Sequence, residues 1–231
     1  MSSAELEPRA TPEPREDLRL AKGRATRAQL LAAAAEGLRE EGYGATSMRA
    51  VADRAGARLS LVHYHFGSKR GLLVAVLDDL TERLLERQRA MFADERPFAE
   101  QWRVACDYLR EDVRSGYVRI LWELWAAGLA DHELADRWRG TQRGWRELVE
   151  ARLERWRDER DIDLPMRPRA LAALIGNLFE GAETEMLAGV AESEAPHLEA
   201  LEACAALIAN AEGSDSPHPG GQPRSRPASG G

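Results

Sequence analysis

Residues 42–73 read GYGATSMRAVADRAGARLSLVHYHFGSKRGLL, and the fold turns on how this stretch breaks into short helices. Ser47 carries an oxygen suited to cap a helix, Val51, Ala52 and Ala55 then share one face, and Gly56 ends the run. A second short helix is expected from about Arg58 to His65. In the connection Ala55-Gly56-Ala57-Arg58, Gly56 supplies the left-handed backbone that side-chain-bearing residues resist. Two short helices so joined have the dimensions of a helix-turn-helix, whose second helix enters the major groove of DNA.

Periodicity assigns the faces of that second helix. Leu59, Val62 and Phe66 recur at i, i+3 and i+7 and are expected to point into a three-helix core, while Ser60, Leu61 and Tyr64 point away. An outward Leu61 suits a thymine methyl, and an outward Tyr64 offers a ring and a hydroxyl. His63 flanks this face within reach of a phosphate. Arg49 suits a phosphate or a guanine edge, or else pairs with Asp53 one turn on; Ser47 presents its hydroxyl and nearby N–H groups to a phosphate. For Tyr64 and His65, packing at the junction with the next helix stays open beside contact with DNA.

Gly42-Tyr43, Thr46-Ser47-Met48-Arg49-Ala50-Val51-Ala52, Ala55-Gly56-Ala57 and Tyr64-His65-Phe66-Gly67-Ser68-Lys69 with Leu72-Leu73 closely resemble the amino-terminal domain of tetracycline-repressor family regulators. The resemblance covers roughly residues 24–73, and several independent elements occur at the right separations. It implies that Ser47, Arg49, Ser60, Leu61, His63, Tyr64, His65 and Lys69 occupy DNA-facing positions, Lys69 meeting a phosphate at the start of the fourth helix. Two departures stand out. Arg58 replaces the Ser or Thr that usually opens the recognition helix and cannot accept a capping bond, a loss of about 1 kcal/mol. His63 stands where a tyrosine is common.

Charge is distributed to match. The chain carries −7 overall, but between Arg19 and Leu73 ten Lys and Arg face four Asp and Glu, a net +6 that leaves −13 for the rest. A basic segment of domain size on an acidic remainder is the footprint of a protein that touches phosphates with one end. No apolar run reaches the roughly 18 residues of a membrane span, and the charged, Pro-rich start lacks the pattern of a signal peptide, so a cytoplasmic protein is expected. Cys106 and Cys204 each stand alone among apolar residues and are read as reduced core or interface thiols.

The periodicity is helical throughout, and the expected class is all-α: a three-helix helix-turn-helix domain over 22–73 and a larger helical ligand-binding and dimerisation domain over 74–211. Residues 1–21 are expected to be a disordered arm and 212–231 a disordered tail. The first helix is expected to open at Thr26, where Thr26-Arg27-Ala28-Gln29 has capping-box spacing, and to stop at Gly42. A long fourth helix starts near Ser68, and others fall near 97–114, 117–129, 132–160, 168–188 and 194–210.

Beyond about residue 75 no nucleotide-binding, metal-binding or nucleophile motif appears, so neither an enzyme, a metal site nor a cofactor is implied. The six tryptophans lie there, and Trp122 and Trp125 suit either an ordinary core or the wall of an apolar cavity. The resemblance implies a ligand cavity in this domain; the candidates for lining it are Trp102, Trp122, Trp125, Phe179 and Glu183. An inward carboxylate would favour a cationic or hydroxylated effector, although Glu180, Glu183 and Glu185 are equally readable as solvated. The last two helices resemble the pair that docks on its symmetry mate as a four-helix bundle. The expected function is a ligand-responsive repressor binding a palindromic double-stranded operator as a homodimer, with no membrane partner. An activator or ligand-independent regulator is the first alternative; an all-α enzyme or scaffold with an appended helix-turn-helix is the second.

Overall fold

Apolar residues that return every three and four positions build helices, and the computed structural model, which describes residues 14–213, has nine α-helices and no strand among them. They are α1 (Pro14–Ala45), α2 (Met48–Arg54), α3 (Leu59–Phe66), α4 (Lys69–Ala93), α5 (Phe98–Ser115), α6 (Tyr117–Gly128), α7 (His132–Arg160), α8 (Pro168–Leu187) and α9 (His197–Gly213). No helix among them is long and apolar enough to cross a membrane.

The start of α1 corrects the expectation. Residues 14–21 of the anticipated arm are helical, and Thr26 lies well inside the helix, its hydroxyl donating back to the Lys22 carbonyl at 3.0 Å instead of capping an end. Residues 1–13, and 214–231 of the anticipated tail, lie outside the described residues. At the other end of α1, Gly42 takes φ 79 and ψ 178, which breaks the helix where the sequence placed its stop.

The chain divides into two compact units. The first runs through Gln88 and resumes over Glu111–Trp145; the second comprises Arg89–Arg110 and the chain from Arg146 onward. In the first unit Leu30, Ala34 and Leu38 of α1, Val51 of α2, Val62 of α3, Leu72, Leu73 and Leu77 of α4 and Leu124 of α6 bury their side chains in one core. The Tyr117 hydroxyl donates to the Leu80 carbonyl at 2.8 Å, tying the start of α6 to α4. In the second unit Phe98, Trp102, Cys106 and Leu109 of α5 are buried, as are Leu153 and Trp156 of α7, Ala172 and Ile175 of α8 and Leu201 and Ala205 of α9. Cys106 and Cys204 are both free thiols, Cys106 buried and Cys204 half-buried.

Candidate nucleic-acid interface

The reading helix is held from behind by one residue. Val62 is completely buried, and Phe66, half-buried, packs against the same core with the Arg27 guanidinium 5.4 Å from its ring centroid. The opposite face carries Ser60, Leu61, His63 and Tyr64, all exposed, with Tyr64 at 82%. Leu59 departs from the expected inward set: it is 38% exposed, the same as Leu61. It sits in the first turn of an eight-residue helix, at the rim of the core that Val62 fills. Arg58 occupies the N-cap without a side-chain capping bond, as its chemistry requires.

Upstream, Ser47 caps α2, its hydroxyl accepting the Ala50 N–H at 3.1 Å, and Arg49 stands exposed in the first turn. The turn between α2 and α3 runs through Gly56 at φ 60, as the connection demanded. His63 donates from Nδ1 to the Gly67 carbonyl at 3.2 Å, which leaves Nε2 for another partner. His65 is half-buried, edge-on to Tyr64 with centroids 5.1 Å apart and 6.1 Å from Phe66. Lys69 is not a free cation: Nζ donates to the Tyr43 carbonyl at 2.8 Å and lies 4.4 Å from the Tyr43 ring centroid. Partial burial holds its pKa below the usual lysine range, and two N–H donors remain for an outside acceptor.

Two polar assemblies here escaped the sequence reading. Arg54 is gripped by three carboxylates of α1: Nη1 meets Glu40 at 2.8 Å and Glu36 at 3.3 Å, and Nη2 meets Glu41 at 2.5 Å. Three of the four acids in the basic segment are thereby gathered around Arg54 and Arg39, away from α3, while Arg70 just beyond α3 pairs with Asp131 and Glu133 at 3.9 and 3.6 Å. The spacing of Glu36 and Glu40, one turn apart, signals a shared face but not the arginine it meets. The second is Glu123 of α6, whose carboxylate accepts the Tyr43 N–H at 3.0 Å. A Cβ added at Gly42 would come within 3.0 Å of it and push the carboxylate aside, while the positive φ itself favours glycine there. A lone acid in the apolar run of α6 was the signal available.

The residues proposed to line a ligand cavity fall into separate groups. Trp122 and Trp125 belong to the first unit, their rings 5.1 Å apart, with Trp138 at 6.1 Å from Trp122. Trp102, Phe179 and Glu183 belong to the second. Trp102 is buried edge-on to Phe179 at 5.6 Å, and its Nε1 donates to the Leu201 carbonyl at 2.6 Å. Glu183 is half-buried one turn beyond Phe179. Among the described residues no group of three or more His, Cys, Asp or Glu is placed to hold a metal ion.

Residues 30–76 match the sequence model of the family described as bacterial regulatory proteins, tetR family. No curated protein matches the chain. A TetR-family transcriptional regulator from Pectobacterium atrosepticum is 27% identical over 81% of this chain and 94% of its own, with a TM-score of 0.61. A TetR transcription regulator from Haloarcula marismortui is 22% identical over 81% and 97%, with a TM-score of 0.67. A transcriptional regulator from Saccharomonospora viridis in complex with choline is 15% identical over 80% and 96%, again with a TM-score of 0.67. Residues 30–76 thus carry a match to the tetR family of bacterial regulatory proteins, and the fold is that of solved TetR-family transcription regulators.

Proposed function

We propose that the chain is a ligand-responsive repressor that binds a palindromic operator as a homodimer in the cytoplasm, its two copies of α3 lying in successive major grooves about 34 Å apart. One observation carries the reading: a short helix anchored by the buried Val62 holds Tyr64 and Leu61 out in water, which is costly unless another surface covers them. Ser47, Arg49, Ser60, Leu61, His63, Tyr64, His65 and Lys69 are assigned to the DNA side, Lys69 and His65 combining that role with local packing. Residues 22–73 supply DNA binding, and 74–211 supply effector binding and pairing. Leu174, Leu178 and Leu187 of α8 and Leu207 of α9 are exposed apolar residues, which supports pairing through these helices. Trp102, Trp122, Trp125, Phe179 and Glu183 are assigned to effector binding. The choline complex of the Saccharomonospora viridis regulator supports a small-molecule effector.

The test is to recover an operator by pull-down of genomic fragments and to weigh its complex by sedimentation. Two chains per duplex, on a fragment with two-fold sequence symmetry, is the expected result. An enriched fragment that binds a single chain, or no enrichment, overturns the proposal.

A further inference from the structure

The second unit contains a buried cationic group that structural packing does not satisfy. Arg152 of α7 is only 4% exposed, and Trp156, one turn on along the same face, is 6% exposed. Both face Phe98, whose ring centroid lies 4.9 Å from the Arg152 guanidinium carbon and 5.0 Å from the Trp156 ring. Gln101, wholly buried, fixes one edge of the guanidinium by accepting from Nε at 2.6 Å, and its own amide donates to the Asp94 carbonyl at 2.7 Å. The other edge points elsewhere. Arg152 Nη1 and Trp156 Nε1 are both buried and have no hydrogen-bond acceptor among the described residues. The carboxylate paired with Nη1, that of Glu159, is 3.8 Å away on a largely exposed side chain.

An unmet buried donor costs about 1–3 kcal/mol, and more when it is charged. Charge is also left over. Burial, the largest influence, holds the Arg152 pKa below the usual arginine range, and the exposed Glu159 carboxylate offsets it only in part. A water molecule would meet the donors but not the charge. With Nε committed to Gln101, Nη1 and the Trp156 Nε1 together leave up to three N–H groups unmet. Unmet donors, one cation and neighbouring aromatic rings suit a planar, singly charged acceptor on an apolar body.

We infer that Arg152 and Trp156 anchor the carboxylate of a small organic acid whose apolar body lies against the rings around Phe98 and Trp102. The site rests on the effector-binding reading above only for its regulatory consequence, and it shifts the effector class from a cation to an anion.

The experiment titrates the full chain with benzoate, phenylacetate, hexanoate and octanoate, each beside its neutral amide, by calorimetry and tryptophan fluorescence. At least one acid is expected to bind roughly tenfold or more tightly than its amide, the weight of one charge-assisted hydrogen bond. Trp156→Phe keeps a ring against Phe98 and deletes only the N–H; it is expected to lose roughly tenfold for the acid and less for the amide, whose carbonyl is the weaker acceptor. Arg152→Lys keeps the charge and loses the planar fork, and it is expected to lose acid selectivity as well. Acids that bind no better than amides, or variants that bind acids as the parent does, overturn the site. An acid bound selectively without any change in operator affinity upholds the site and refutes the effector reading; an operator-binding chain indifferent to every acid overturns the site alone.

Discussion

Replacing Tyr64 by alanine separates reading from folding. The side chain is 82% exposed, so of the roughly 200 Å² an aromatic residue can bury, only about a fifth is covered. At about 25 cal/mol per Å² that is about 1 kcal/mol, and the ring meets His65 edge-on at 5.1 Å. The expected loss of stability is therefore no more than about 1 kcal/mol, a few degrees in Tm for a chain of this size. If the ring or hydroxyl meets a base edge, removing it costs about 1–3 kcal/mol of operator affinity, roughly 5- to 150-fold, with little effect on a scrambled duplex. Fluorescence anisotropy on both duplexes at one salt concentration, paired with urea unfolding, measures the two quantities. Val62→Ala is the counterpart: it removes two buried methyl groups and should lower stability by about 2–3 kcal/mol. A Tyr64→Ala chain that keeps full operator preference, or that unfolds as readily as Val62→Ala, refutes the assignment of faces.

Other residues give further expectations. Glu123→Ala strips the Tyr43 N–H of its acceptor and should cost about 1–3 kcal/mol in urea unfolding; an unchanged midpoint would show that the bond contributes nothing. Arg58→Ser supplies the missing cap of α3 and should raise thermal stability by about 1 kcal/mol, whereas an unaltered or lower Tm would show that the cap is not limiting. Burial pushes the Cys106 thiol up to about 11, so at pH 8 only about one molecule in a thousand carries the thiolate. Labelling by iodoacetamide, followed by mass spectrometry, should modify Cys204 first, with Cys106 reacting faster as the pH is raised toward its pKa; equal rates at pH 8 contradict the burial argument.

The parts legible in the sequence are those governed by period and turn chemistry. Ser47 as a cap, Gly56 as the turn and Val62 opposite Tyr64 follow from local rules, and the structure places each accordingly. Where α1 begins was not legible, because Leu18 and Leu20 are exposed and give no amphipathic stripe to read, while Thr26 and Gln29 imitate a capping box that Thr26 instead spends on Lys22. Gln29 reaches forward to the Ala55 carbonyl at 2.9 Å. Long-range polar partners were equally hidden. Glu123 meets Tyr43 across 80 residues and Arg152 meets Gln101 across 51, and nothing in a helical period records what a polar side chain finds on another helix. For the same reason the tryptophans could be counted but not grouped.

The central claim is that a cationic helix-turn-helix reads base edges, and competition binding between the recovered operator and a scrambled duplex across a salt series tests it most directly. A clear preference for the operator is expected at every salt concentration, together with an affinity that falls with a log–log slope of about −0.9 for each phosphate neutralised. Equal affinity for the two duplexes, or binding that does not weaken as salt rises, would contradict it.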